Sequence, residues 1–88
     1  MATTDPTTYT NLVDWLTNRV AAYLGTTPAA IATDVSFGDY GLDSVFALDL
    51  CTGLEHEFGI LAEPTFAWDY PTIDAMARHL AEVPRAAS

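Results

Sequence analysis

An aspartate followed by a serine, Asp43-Ser44, stands where a turn-rich segment, Phe37-Gly38-Asp39-Tyr40-Gly41-Leu42, stops and an amphipathic run ending at Phe58 begins. A serine at a helix start can cap the first unpaired N–H groups, and the same place favours a negatively charged group bonded to its oxygen. Ser44 is therefore open to two roles, a cap and a charged attachment. Nucleophilic catalysis lacks its surroundings. The flanking residues are not G-x-S-x-G, the first glycine upstream is Gly41, and neither histidine, His56 or His79, has an orienting carboxylate marked by sequence.

The other reactive side chains have structural readings. Cys51 falls on the core-facing arc of its helix, where a thiol behaves as a small hydrophobe. Asp49, Glu55 and Glu57 are dispersed around the same helix, too far apart for a metal cluster, so no metal ligand and no catalytic residue is expected. Trp15, Phe66, Trp68 and Tyr70 read as core or rim packing.

Composition narrows the partners. The chain has 88 residues, half of them hydrophobic, enough for one domain with one modest core. Its formal net charge is −9, from 12 acidic residues against 3 arginines. Nucleic acid needs a cationic face that releases counterions, and this chain has none. An acidic surface suits steering onto basic patches of other proteins. The single cysteine excludes an intramolecular disulfide. The apolar runs are too short to span a bilayer, and Met1–Pro6 lacks the basic and apolar regions of a signal peptide. The expectation is a cytoplasmic monomer without membrane insertion.

The elements that must position Ser44 follow from hydrophobic period. Tyr9, Leu12, Val13, Leu16, Val20, Tyr23 and Leu24 fall on one helical face, with Thr10, Asp14, Thr17, Asn18 and Ala21 opposite, and Gly25 is suited to end this first helix. From Thr26 to Asp43 no period holds. Pro28 can open one short turn, and Ile31, Val35, Phe37, Tyr40 and Leu42 are spaced like pins holding a long ordered loop to the core. In the second helix, Ser44 to Phe58, one side carries Ala47, Leu50, Cys51, Leu54 and Phe58, with Phe46 at the margin. The other side is only partly polar. Val45 and Leu48 lie beside Ser44 among Asp49, Thr52, Glu55 and His56, a pattern that resembles a docking surface. Gly53 weakens a helix by about 1 kcal/mol relative to Ala, which marks a close approach; Gly59 ends the helix.

Pro64 to Trp68 can form a short helix that Asp69-Tyr70-Pro71 breaks. Thr72 can cap a last helix with Ile73, Met76, Ala77, Leu80 and Val83 on one face and Asp74 in its first turn. The expected fold is all-α: a small four-helix bundle, three longer helices plus a short one before the last, with a long ordered loop between the first and second. The domain is expected to run from 7 to 83, with loose tails at 1–6 and 84–88.

Phe37-Gly38-Asp39-Tyr40-Gly41-Leu42-Asp43-Ser44-Val45, then Leu54-Glu55-His56-Glu57-Phe58-Gly59, then Pro64-Thr65 and Trp68-Asp69-Tyr70-Pro71-Thr72-Ile73 together resemble an acyl carrier protein of the polyketide synthase type. The match runs in order from about Tyr9 to Ala81. The resemblance implies that Ser44 is the attachment point of 4′-phosphopantetheine, delivered from coenzyme A by a phosphopantetheinyl transferase, with Asp43 helping that metal-dependent step. It implies a carrier that catalyses nothing itself and holds acyl groups as thioesters for a ketosynthase or other synthase enzymes. Val45, Leu48, Asp49, Thr52 and Glu55 would form the docking face.

Three positions depart from the family pattern. Val45 stands where Leu is usual. Phe46 replaces a commonly polar residue and would add a hydrophobic element to partner selection. Trp68 stands where Phe is commoner, which resembles carriers loaded by a fatty acyl-AMP ligase; an acyltransferase is the other loading enzyme the family implies. Peptidyl or aminoacyl carriers of nonribosomal peptide synthesis share the modified serine, but typically show Gly-Gly before it and often His in place of Asp43. An unmodified acidic interaction module, with Ser44 only a cap, is the rival from another class.

Overall fold

Thr8 begins the first helix with its Oγ1 accepting the Asn11 N–H at 3.4 Å. In the computed structural model, which describes residues 8–82, helix α1 (Tyr9–Leu24) is followed by a 3-10 turn at Pro28–Ala30. After the crossover loop come α2 (Ser44–Phe58), the short α3 (Phe66–Asp69) and α4 (Ile73–Glu82). Among the described residues the bundle has four α-helices and no strand, as the sequence predicts, with one isolated antiparallel bridge between Ser36 and Thr72. Val83 and both expected tails lie outside the described residues.

The core is built from Leu12, Leu16 and Val20 of α1, Leu50 and Leu54 of α2, and Ile73, Met76 and Leu80 of α4, all fully buried. The steps are four residues in α1 and α2 and three and four in α4, the stripe that one helix turns toward its neighbours. α1 lies along α4. Ala21, expected on the solvent side, is buried instead. The chain doubles back there: Gly25 takes the left-handed conformation at φ 71°, the Thr26 N–H donates to the Ala21 carbonyl at 2.9 Å, and the 3-10 turn packs on α1. Tyr9, Tyr23 and Leu24, expected on the core face, lie at its edge and are partly exposed.

Gly53 does mark a close approach. A Cβ there would sit 2.7 Å from Cζ2 of Trp15 and 2.9 Å from Nη2 of Arg19. The missing side chain lets the Trp15 ring lie against α2, where it meets Phe58 edge-on at 5.6 Å between ring centres. Gly59 then turns the chain at φ 68°, and the next residue, Ile60, is fully buried in the core.

The crossover loop is ordered by the side chains that looked like pins. Phe37 and Leu42 are buried, while Ile31, Val35 and Tyr40 are half-buried. The Tyr40 hydroxyl donates to the Ala32 carbonyl at 3.1 Å and accepts the Ala32 N–H at 2.7 Å, closing the loop on itself. Two backbone bonds tie it to the start of α4: Phe37 N–H to the Pro71 carbonyl at 2.7 Å, and Asp74 N–H to the Thr33 carbonyl at 2.9 Å. Thr72 caps α4 as predicted, its Oγ1 accepting the Ala75 N–H at 3.0 Å. The loop therefore ends at a fixed place, and what it delivers there is Asp43-Ser44.

Candidate functional site

Asp43, not Ser44, is the N-cap of α2. Its backbone is extended, at φ −118° and ψ −171°, and its carboxylate Oδ1 accepts the Phe46 N–H at 3.2 Å. Aspartate caps as well as serine, and the cap is whichever residue stands just outside the helical turn. The loop geometry makes that residue Asp43. Ser44 becomes the first helical residue, exposed, with its hydroxyl not committed to the helix. The first turn leaves the Ser44 and Val45 N–H groups without intrahelical acceptors, beside the positive end of the helix dipole. An anion bonded to the Ser44 oxygen would stand at a place that favours it.

Aromatic packing holds this end of α2. Phe46, expected at the helix margin, is buried. It meets Tyr23 of α1 edge-on at 4.8 Å and Phe37 of the loop at 6.2 Å between ring centres. It is therefore a core side chain that joins three elements, and it does not supply the hydrophobic contact for partners that its position suggested. The Tyr23 hydroxyl reaches Oδ1 of Asp43 at 3.4 Å. Sequence reasoning placed Tyr23 on the core face and missed this contact, because nothing in helical spacing links residues so far apart in the chain.

Among the residues read as a docking face, Val45 and Leu48 are 62% and 55% exposed and, three positions apart, are neighbours on the surface of α2. Asp49, Thr52 and Glu55 are exposed beside them. Two of these polar groups have internal partners. Thr52 Oγ1 donates to the Leu48 carbonyl at 3.1 Å, and Asp49 pairs with Arg19 of α1 at 3.4 Å. The Arg19 guanidinium also lies over the Trp15 ring at 4.8 Å.

The remaining candidates stay apart from Ser44. Cys51 is half-buried, and burial pushes its thiol up, away from reactivity. His56 is exposed, and His79 stacks on Tyr70 at 4.0 Å between ring centres. No hydrogen bond joins either histidine to Ser44 among the described residues. Two hollows, of about 300 and 280 Å³, are lined by Tyr9, Arg78, Ala81 and Glu82 and by residues from Leu61 to Leu80; Ser44 lines neither. Among the described residues no group of three or more His, Cys, Asp or Glu could hold a metal ion. Trp68, read as packing, is 62% exposed on α3.

The model of the family described as "Phosphopantetheine attachment site" matches residues 14–80. The chain belongs to that family. It is a carrier domain, and the group its family bears is covalently attached 4′-phosphopantetheine. The exposed serine, relieved of capping by its neighbour and facing free N–H groups, fits such a phosphodiester. The domain is 41% identical over 71 residues to polyketide synthase GfsA of Streptomyces halstedii, covering 80% of this chain but 1% of that synthase. It thus spans a small fraction of the length of the curated relatives it matches. Among solved structures it is similar to an acyl carrier protein from Anabaena sp. PCC 7120, with TM-score 0.79 and 34% identity over 93% of both chains. It is also similar to a free-standing peptidyl carrier protein from Acinetobacter baumannii, with TM-score 0.79 and 36% identity over 84% of this chain and 92% of that one. No helix among the described residues is long and apolar enough to cross a membrane.

Proposed function

We infer that Ser44 is the attachment residue and that the carrier domain, residues 7 to 83, works in polyketide or fatty acyl assembly. One observation carries this. In a chain matched to the phosphopantetheine-attachment family, the exposed hydroxyl at the start of α2 is left free because Asp43 caps the helix. In the modification, Ser44 Oγ forms a bond to the pantetheine-side phosphorus of coenzyme A. The bond from that phosphorus to the 3′,5′-ADP portion breaks, and the serine proton is lost to a base of the transferase or to water. Asp43, whose second carboxylate oxygen has no partner among the described residues, assists the metal-dependent transferase. Once attached, the group supplies a thiol on a flexible arm for holding acyl chains as thioesters. The protein itself is not a catalyst: it is a substrate of the phosphopantetheinyl transferase, of a loading fatty acyl-AMP ligase or acyltransferase, and of a ketosynthase. Val45, Leu48, Asp49, Thr52 and Glu55 are the surface these partners meet. A cytoplasmic setting, where coenzyme A is available, suits this cycle.

The experiment is intact mass after incubation with coenzyme A and a broad-specificity transferase. The expected result is one phosphopantetheine-sized gain that Ser44→Ala abolishes; a gain that survives in Ser44→Ala overturns the assignment. The similarity to a peptidyl carrier favours a second reading, in which the cargo is an amino acid. Loading assays with acyl- and aminoacyl-adenylating enzymes on the modified protein separate the two.

A further inference from the structure

The cap of α2 is braced from outside α2. Oδ1 of Asp43 accepts two hydrogen bonds, one from the Phe46 N–H at 3.2 Å and one from the Tyr23 hydroxyl at 3.4 Å. The two donors approach the same oxygen, so the carboxylate is held about its long axis and its other oxygen is directed elsewhere. Tyr23 is itself held. Its ring packs edge-on against Phe46, which is buried against Phe37 of the crossover loop, and the residue sits in the last turn of α1 just before the left-handed Gly25. Burial and the neighbouring carboxylate keep the Tyr23 phenol above its ordinary value, so at neutral pH it is a donor.

We propose that Tyr23 is a positioning residue for modification of Ser44, acting through Asp43 by fixing the orientation of the carboxylate that stands next to the serine. This rests on the reading of Ser44 as the attachment residue and of Asp43 as an aid to the transfer. The phenylalanine variant is the informative one, because the ring that packs on Phe46 is kept and only the hydroxyl is lost. Without it, Oδ1 keeps one donor, and the two carboxylate oxygens exchange more freely.

A double-mutant cycle on the unmodified protein tests this, with Tyr23→Phe, Asp43→Asn and the double variant compared by initial rates of mass gain with coenzyme A and transferase. The slower Asp43→Asn backgrounds are followed at higher transferase concentration. Tyr23→Phe is expected to lower the rate roughly five-fold in the parent, the scale of one exposed hydrogen bond of ordinary net strength. In the Asp43→Asn background it is expected to change the rate little, because effects carried through a shared residue are not additive. Thermal midpoints of Tyr23→Phe and the parent are expected to coincide. Equal slowing in both backgrounds, no slowing in either, or slowing matched by a fall in thermal midpoint overturns the proposal. Failure of the Ser44 reading is distinct: the parent then gains no mass, or gains it equally in Ser44→Ala, whatever stands at position 23.

Discussion

Asp43 accepts the Phe46 N–H through Oδ1 at 3.2 Å, and the serine between them makes no contribution to the cap. Stability and the proposed modification are thereby divided between adjacent residues. Asp43→Ala is expected to lose about 1 kcal/mol, the usual cost of an N-cap, in urea unfolding of the unmodified protein. Ser44→Ala is expected to stay within about 0.5 kcal/mol of the parent, as for an exposed position without a structural partner. The reverse pattern would return the cap to Ser44.

Gly53 offers a second test of packing. Alanine at a helix interior is favoured over glycine by about 1 kcal/mol. Here its methyl would lie 2.7 Å from a Trp15 ring already fixed against Phe58. Overpacking costs about 1–3 kcal/mol where the neighbour is a packed ring. Gly53→Ala is therefore expected to be destabilising on balance, by about 1 kcal/mol in denaturant midpoint at unchanged slope. A stabilised variant would mean that Trp15 and Arg19 move aside freely.

Much of this arrangement is legible in the sequence because it is local. The heptad-like stripes of α1, α2 and α4, the terminating glycines Gly25 and Gly59, the cap at Thr72 and the pinning residues Phe37 and Leu42 all follow from helical period and turn chemistry. What was not legible depends on contacts between distant segments. Asp43 and Ser44 are both good caps, and only the loop's path past α4 decides which one stands outside the turn. Ala21 is polar-side in an isolated helix and buried once the chain folds back over it. Phe46 looks marginal until Tyr23 and Phe37 arrive from two other elements. Trp68 has an aromatic side chain that composition assigns to packing, yet α3 is only four residues long and turns just one side, Phe66 and Ala67, inward.

The pairing of Arg19 with Asp49 makes the proposed docking face less acidic than its sequence. Both side chains are partly exposed, at 36% and 51%, so the pair contributes less than about 1 kcal/mol to stability. On the proposed docking reading its effect on association is larger, since a basic patch on a partner would compete with Arg19 for the carboxylate. Arg19→Gln is expected to raise the association rate with a basic loading enzyme at low salt, and Asp49→Asn to lower it, both differences shrinking as ionic strength rises. Stopped-flow association over a salt series checks this. An Arg19→Gln rate equal to the parent at every salt concentration would place Asp49 outside the encounter surface.

Asp74 joins the start of α4 to the start of α1, and its titration reports that contact. The Tyr9 hydroxyl of α1 donates to Asp74, and the Arg78 guanidinium meets it at 3.2 Å, so its carboxyl is held below the ordinary range, chiefly by the Tyr9 hydrogen bond. A carboxyl whose folded value lies below its unfolded one stabilises the fold above the unfolded value, about 3.9. That contribution is complete at neutral pH and is lost as pH falls from about 4 through the depressed folded value. Tyr9→Phe removes the largest cause of the shift, so the Asp74 carboxyl carbon should titrate at higher pH in nuclear magnetic resonance. The acid limb of unfolding should then depend less on this group, while Arg78→Gln should move the same titration less. An unchanged Asp74 titration in Tyr9→Phe would mean that α1 and α4 are held together without this hydrogen bond.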